Sequence, residues 1–366
     1  MSWGQPRSIP KDSVYHLQPD YSVNVYAGEK INREDSILYM MQGDSTLGMG
    51  DSIWLISYLR DIYRIKAHRR VPITICSSKT INDFYSNFLP SSFIFEDEYI
   101  TEEKFNTFTH KLPAMYYWHE KDDSDKSWTD NKSIIARTYA LTGMEYQSLP
   151  DFGEFTNEEI LYPSNSFYKK LNINKNDRYC FFQWHSSGEC KNIPPETNIK
   201  IIKHIVKEYG LKVYIIGRLN CLNKLEKIKG VKNLSNKTTG LDVFSLAFNA
   251  ELIISPDSAG VHLGEAFQRP AVGILATLPP SYIAHKYKFP TFMFGDGFCQ
   301  FKPCGHITKF PEQKCPHKKA QKYCEILKHV DLDLLDKCIK KAKENVELYR
   351  NIDSINFYES QKIPIN

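Results

Sequence analysis

No run of apolar residues approaches the ~18 needed to cross a bilayer. The greasiest stretches, Ile37–Met41 and Leu252–Ile254, have the length of strands. The opening MSWGQPRSIPKDS lacks an apolar core and a small-residue cleavage site, so no secretory signal is expected and the expected location is cytoplasmic. An excess of one charge is missing too: 47 Lys and Arg stand against 43 Asp and Glu, a formal net charge of +4. That is too mild to point to nucleic acid or to an anionic membrane by electrostatics alone. Internal repeats and low-complexity tracts are absent, which excludes a solenoid or a collagen-like polymer. What is present is ordinary core material: 42% hydrophobic residues with 22 Tyr, 21 Phe and 5 Trp in a chain of 366, enough for two domains. Nine cysteines without an export signal suggest reduced thiols or metal ligands rather than a disulfide framework.

The first ~35 residues are polar and irregular. Ile37–Met41 reads as a buried strand, a glycine-rich turn follows from Gly43 to Gly50, and a helical period begins at Asp51 with Ile53, Ile56, Leu59 and Tyr63. Val71–Cys76 is the next strand. Strand, turn, helix and strand in that order are the grammar of a parallel sheet. A polar stretch from about Ser148 to Asp177 reads as the connection between domains. A second α/β series then starts with the strand Tyr179–Trp184 and a helix around Ile199–Glu208. It continues with the strand Lys212–Ile216, a helix Leu241–Asn249, the strand Glu251–Ser255, a helix Val261–Phe267 and the strand Ala271–Leu275. Beyond Val330, the recurrence of Leu332, Leu335, Ile339 and Ala342 predicts a helix. Ligands of such sheets bind outside the carboxyl ends of the strands.

Three stretches carry candidate chemistry. Gly48-Met49-Gly50-Asp51 lies between strand and helix, where glycines admit a ligand to the backbone and the helix start offers unpaired N–H groups. Asp51 has two readings there, a capping carboxylate favoured by the helix dipole or a catalytic or binding carboxylate. The turn has neither G-x-G-x-x-G spacing nor G-K-[ST]. Ser255-Pro256-Asp257-Ser258-Ala259-Gly260-Val261-His262 again joins strand to helix, and small residues at the helix start suit a diphosphate through N–H groups and the Ser258 hydroxyl. Asp257 has the alternative of a plain N-cap, and His262 that of a core histidine. Lys191, in Cys190-Lys191-Asn192-Ile193-Pro194, either neutralises phosphate oxygens or solvates a face.

Taken together, these motifs resemble glycosyltransferase family 9, the bacterial heptosyltransferases of lipopolysaccharide inner core. Gly50-Asp51 through Leu59-Arg60 corresponds to the family's G-D and L-R. Lys191-Asn192-Ile193-Pro194 corresponds to K-x-W-P, with Ile193 for Trp. Asp257-Ser258-Ala259-Gly260-Val261-His262-Leu263-Gly264 corresponds to D-[ST]-G-x-x-H-[LI]-A, with Ala259 for Gly and Gly264 for Ala. The segment Cys299–Cys324 matches a terminal cysteine cluster. Gly217-Arg218-Leu219-Asn220 lacks the acidic residue that members place on the donor ribose, which leaves base and sugar open.

The resemblance implies a GT-B architecture, two Rossmann-like doubly wound domains facing across a cleft. The expected division is an N-terminal extension 1–35, an acceptor domain 36–165, a nucleotide-sugar domain 166–345 with the cysteine-rich segment 299–324, and a tail 346–366 returning to the first domain. The implied reaction is inverting glycosyl transfer without a catalytic metal, with Asp51 as general base. Lys191, Asp257, Ser258, Ala259, Gly260, His262 and Gly217 would bind the donor, and Gly48, Gly50 and Arg60 the acceptor. His68-Arg69-Arg70 is either an anion-binding run or a solvated basic face. An ADP-sugar is favoured as donor over GDP or UDP sugars. The acceptor would be a glycan, lipid-linked glycan or protein, reached in the cytoplasm or peripherally at the inner membrane face. Cys299, Cys304, Cys315 and Cys324 would hold structural Zn or Fe, with His306 and His317 as substitute ligands; reduced structural thiols are the alternative. Two other functions compete: a non-catalytic nucleotide- or metal-binding module, and a nucleotide-sugar epimerase or hydrolase of GT-B fold.

Overall fold

A computed structural model describes residues 36–40, 49–66, 72–96, 101–113, 152–153, 155–186, 188, 191–217, 222–276, 278–284, 286–294 and 324–360. Their contacts divide them into two units. The first runs up to Leu161 and takes in Thr239–Leu241 and Ser281–Lys286; the second is the rest of the chain from Tyr162. The extension 1–35 lies outside the described residues.

The first unit is built on a parallel sheet of β1 (Ile37–Met40), β2 (Ile73–Cys76), β3 (Ile94–Glu96) and β4 (His110–Pro113) in the order β3-β2-β1-β4. The helix Met49–Lys66 follows β1. It carries more than one apolar stripe, because every residue from Ile53 to Arg60 is buried. Helices buried on all sides are found where a sheet and further elements cover them together.

The second unit has six parallel strands: β5 (Tyr179–Gln183), β6 (Lys212–Ile216), β7 (Val231–Asn233), β8 (Leu252–Pro256), β9 (Ala271–Leu275) and β10 (Thr291–Phe294). Their order is β10-β9-β8-β5-β6-β7. The chain builds outward from β5 to β7, then restarts on the other side of β5 with β8. β8 and β9 are buried at every position, as strands covered on both faces must be. The reversal between β5 and β8 is a topological switch point, where the loops part and leave a crevice. The helix Pro195–Tyr209 opens with proline in its first turn and ends at Gly210, whose φ of 62° takes the left-handed cap that glycine adopts without strain.

The connection differs from its reading in one respect. The stretch read as a linker holds the helices Glu158–Leu161 and Asn165–Leu171, and the units part at Leu161, within a few residues of the expected boundary. Its polar residues are helix ends: the Asn157 carboxamide accepts from the N–H of Glu159, and Asn172 closes the second helix in the left-handed conformation. Residues 346–360 of the expected tail continue the helix Leu332–Ser360, whose side chains are described as far as Arg350. Its buried stripe, Leu335, Ile339, Ala342 and Val346, lies in the second unit, where Thr291 donates to the Cys338 carbonyl at 2.8 Å and Tyr349 meets Phe289 edge to face. Each such apolar side chain contributes about 1.5–3 kcal/mol on burial, enough to hold the helix there. Residues 361–366 lie outside the described residues.

Candidate functional site

The carboxyl ends of β5 and β8 meet through one side chain that the sequence motifs do not mark. Gln183, the last residue of β5, donates from Nε2 to the Ser258 hydroxyl at 2.7 Å and to the His185 carbonyl at 3.4 Å. Its Oε1 accepts from the Gly260 N–H at 2.8 Å and from the Ser255 hydroxyl at 3.2 Å. The turn after β8 is thus tied to the end of β5. Ser258, in extended conformation at the head of the helix Ala259–Ala266, makes no side-chain cap of its own. A Cβ on Gly260 would come within 2.8 Å of the Ser255 Cβ and 3.1 Å of the Gln183 Oε1. The glycine is therefore required by this tie as well as by any ligand.

Lys191 and Asp257 form the charged part of the cluster. Their Nζ and Oδ2 stand 2.9 Å apart with only 11% and 6% of the side chains exposed. Distance makes this an ion pair, yet Oδ2 receives no well-directed hydrogen bond, so the attraction is mainly electrostatic. Lys191 is therefore no solvated surface lysine. Its loop is anchored on both sides. The Asn192 carboxamide accepts the Ser186 N–H at 2.7 Å, Asn198 donates to the Trp184 and Ile193 carbonyls, and Ile193 fills the core where the family has tryptophan.

His262, one turn into the helix, has its Nδ1 2.7 Å from the Tyr287 hydroxyl. Burial is the main cause that pushes its pKa down to about 4; Asp257 acts against this and Lys191 with it. The imidazole is neutral at pH 7. Glu265 fixes the same helix to the segment that follows, its buried carboxylate accepting the Lys288 and Phe289 N–H groups at 2.9 and 3.0 Å. Gly217 closes the end of β6; a Cβ there would stand 2.8 Å from the His185 Nδ1. The structure thus brings Lys191, Asp257, Ser258, Ala259, Gly260 and His262 to one crevice, with Gly217 on the adjoining strand. A cation shielded from solvent, a hydroxyl and the positive end of a helix suit a ligand with phosphate oxygens.

In the first unit, Gly50 and Asp51 occupy the first turn of the helix after β1. Asp51 is half-buried and close enough to Tyr85 to act on its phenol, which burial chiefly, and the Asp51 charge in addition, push up, while a hydrogen bond from Ser52 acts in the opposite sense. β1 lies between β2 and β4, so this helix start also stands at a reversal of strand order.

Arg60 is not an acceptor ligand. It has 0% exposure; its guanidinium donates to the carbonyls of Phe88 and Phe152 and to Thr156, and lies 4.4 Å from the Phe152 ring centre. Those bonds use it to hold the 152–156 segment to the helix. Gly48, the basic run 68–70, Cys190, residues 218–220, Cys299, Cys304, Cys315, His306 and His317 lie outside the described residues. Cys324 is half-buried, and its N–H donates to the Asn192 carbonyl, on the loop that carries Lys191. Among the described residues no three His, Cys, Asp or Glu side chains gather as a metal site.

The family model of glycosyltransferase family 9 (heptosyltransferase) matches residues 133–289. No curated protein matches the chain. Among solved structures, the chain is similar to the iron-containing dodecameric glycosyltransferase TibC from enterotoxigenic E. coli H10407, at TM-score 0.60 and 14% identity over 87% of this chain and 79% of that one. It is similar to E. coli ADP-heptose lps heptosyltransferase II at TM-score 0.54 and 15% identity, over 86% and 99%. A glycosyl transferase family 9 protein from Veillonella parvula DSM 2008 gives TM-score 0.52 and 12% identity, over 73% and 87%. At these identities the structural likeness speaks for the fold alone, and the family match spans the Lys191 and Asp257–His262 cluster. The fold is GT-B, and over residues 133–289 the chain is similar to glycosyltransferase family 9.

Proposed function

We propose that the protein is an inverting transferase that takes a sugar from a nucleoside diphosphate, with an ADP-sugar of the heptose type as the first candidate donor. The observation that carries this reading is the buried Lys191 beside the turn 255–260 at the β5–β8 switch point. It supplies one positive charge, and the turn the Ser258 hydroxyl, for a departing diphosphate, where such charge stabilises the transition state. The ADP-heptose named for E. coli heptosyltransferase II supports the choice of base and sugar.

Asp51 serves as general base in this reading. Its carboxylate takes the acceptor hydroxyl proton while the oxygen attacks the anomeric carbon, and the bond to the diphosphate breaks on the opposite face. Gly50 and Gly48 give the acceptor close approach. The acceptor is a glycan, free or lipid-linked, or a protein. A cytoplasmic or membrane-peripheral location accords with the absence, among the described residues, of any helix long and apolar enough to cross a membrane. A structural Zn or Fe held by Cys299, Cys304, Cys315 and Cys324 belongs to the same proposal and has no part in the chemistry.

Asp51→Asn keeps the shape and the favourable place in the first helical turn but removes the base. Turnover should fall about 10²–10⁴-fold while ADP affinity and melting temperature stay close to wild type. Single-turnover transfer and calorimetric ADP titration measure the two effects; full turnover in a folded variant moves the base elsewhere.

A further inference from the structure

The Gln183 carboxamide has its orientation fixed by its neighbours. The Gly260 N–H can only donate, so the atom facing it must be the oxygen, and Nε2 must then face Ser258. A hydroxyl oxygen that accepts from an amide turns its own hydrogen away from that amide. No acceptor among the described residues takes the Ser258 hydrogen, whereas the Ser255 hydroxyl has the Pro256 carbonyl at 2.8 Å as well as Gln183. The carboxamide gives both of its N–H hydrogens and accepts the Gly260 N–H, sharing the single Ser255 hydrogen with the nearer Pro256 carbonyl, and it works on the turn from behind.

We propose that Gln183 is a positioning residue that sets the Ser258 hydroxyl as a hydrogen-bond donor toward the diphosphate of the donor nucleotide. The inference rests on the nucleotide-sugar reading above and deepens it. Gln183 itself does not touch the ligand. It fixes which way the Ser258 proton points and ties down the Gly260 N–H, so the hydroxyl donor is in place before the anion arrives. Pre-set donors of this kind need no reorganisation when charge appears.

Gln183→Glu tests the idea because its carboxylate has the same outline but no hydrogen to give. Ionised, it accepts from Gly260 as before but draws the Ser258 hydrogen onto itself and adds a negative charge behind the turn. Protonated, it restores the pattern of glutamine. ADP affinity at pH 8, by calorimetry, should fall ten- to a hundredfold against wild type, with adenosine affinity within twofold. A folded variant that binds ADP as wild type does at pH 8 overturns the proposal. If the variant does not fold, Ser258→Ala decides: a loss of about tenfold for ADP supports the proposal, and unchanged affinity overturns it. Wild-type protein that binds none of ADP, GDP and UDP overturns the nucleotide-sugar reading itself, and this inference with it.

Discussion

At the scale of single residues, His262 makes stability depend on pH. Its pKa of about 4 in the folded chain lies below the ordinary 6.5, so the unfolded chain binds the extra proton first. The stabilisation is complete above pH 6.5 and drains away as the pH falls toward 4, to a total on the order of 3 kcal/mol. Denaturant unfolding of wild type and His262→Gln at pH 7 and pH 5 should show wild type losing stability on acidification faster than the variant. Equal losses would mean that the imidazole is not held neutral. Arg60 shows what a motif conceals. It was legible as part of a family pattern, but the helix is buried at every position from Ile53 to Arg60, so a face that spacing would leave to solvent is closed. Lys191 is the reverse case, since only the fold reveals the buried carboxylate it faces.

At the scale of elements, the helix Ala259–Ala266 explains a departure from the family pattern. Gly264 stands where alanine is usual, and an added Cβ would run into the side chain of Ala271 at the start of β9. Alanine is worth about 1 kcal/mol over glycine inside a helix, but overpacking a closed core costs about 1–3 kcal/mol, so the clash should win. Gly264→Ala is expected to lower the melting temperature, and adding Ala271→Gly to recover much of it; scanning calorimetry of the two proteins checks this. The strands β1, β2, β5, β6, β8 and β9 were legible because buried parallel strands are short apolar runs, and their ends moved by only a residue or two, whereas the edge strands β3, β4, β7 and β10 were not read. The helices at 158–161 and 165–171 were not, because they are short and polar, with too few turns for a period to emerge. Gln183 was missed for a related reason. Inside an apolar strand a single polar residue looks like a strand end, and its meaning depends on β8, which pairs with β5 only in the folded sheet.

At the scale of the whole molecule, two parallel sheets of unequal size carry the two halves of the proposed reaction, the smaller with Asp51 and the larger with the diphosphate turn. The cysteine-rich segment re-enters the described structure at Cys324, which is bonded to the Lys191 loop, so an ion there would brace the donor side of the protein. Protein purified without chelator should carry about one equivalent of Zn or Fe by elemental analysis, and its removal should lower the melting temperature without abolishing the first turnover. Well under one equivalent of both metals would leave reduced thiols in that place.

The tie between Gln183 and the turn after β8 also fixes when in the life of the chain the site can exist. Its partners lie 72 to 77 residues further on. Closing a loop of that length costs about 2 kcal/mol more than closing one of ten residues, and strand pairing has to supply it. During synthesis, β5, β6 and β7 can be complete while no anion cradle is present. A truncated product ending before about residue 260 has no such cradle, however well its first strands have formed. Capture on an immobilised nucleotide would therefore separate finished chains from unfinished ones.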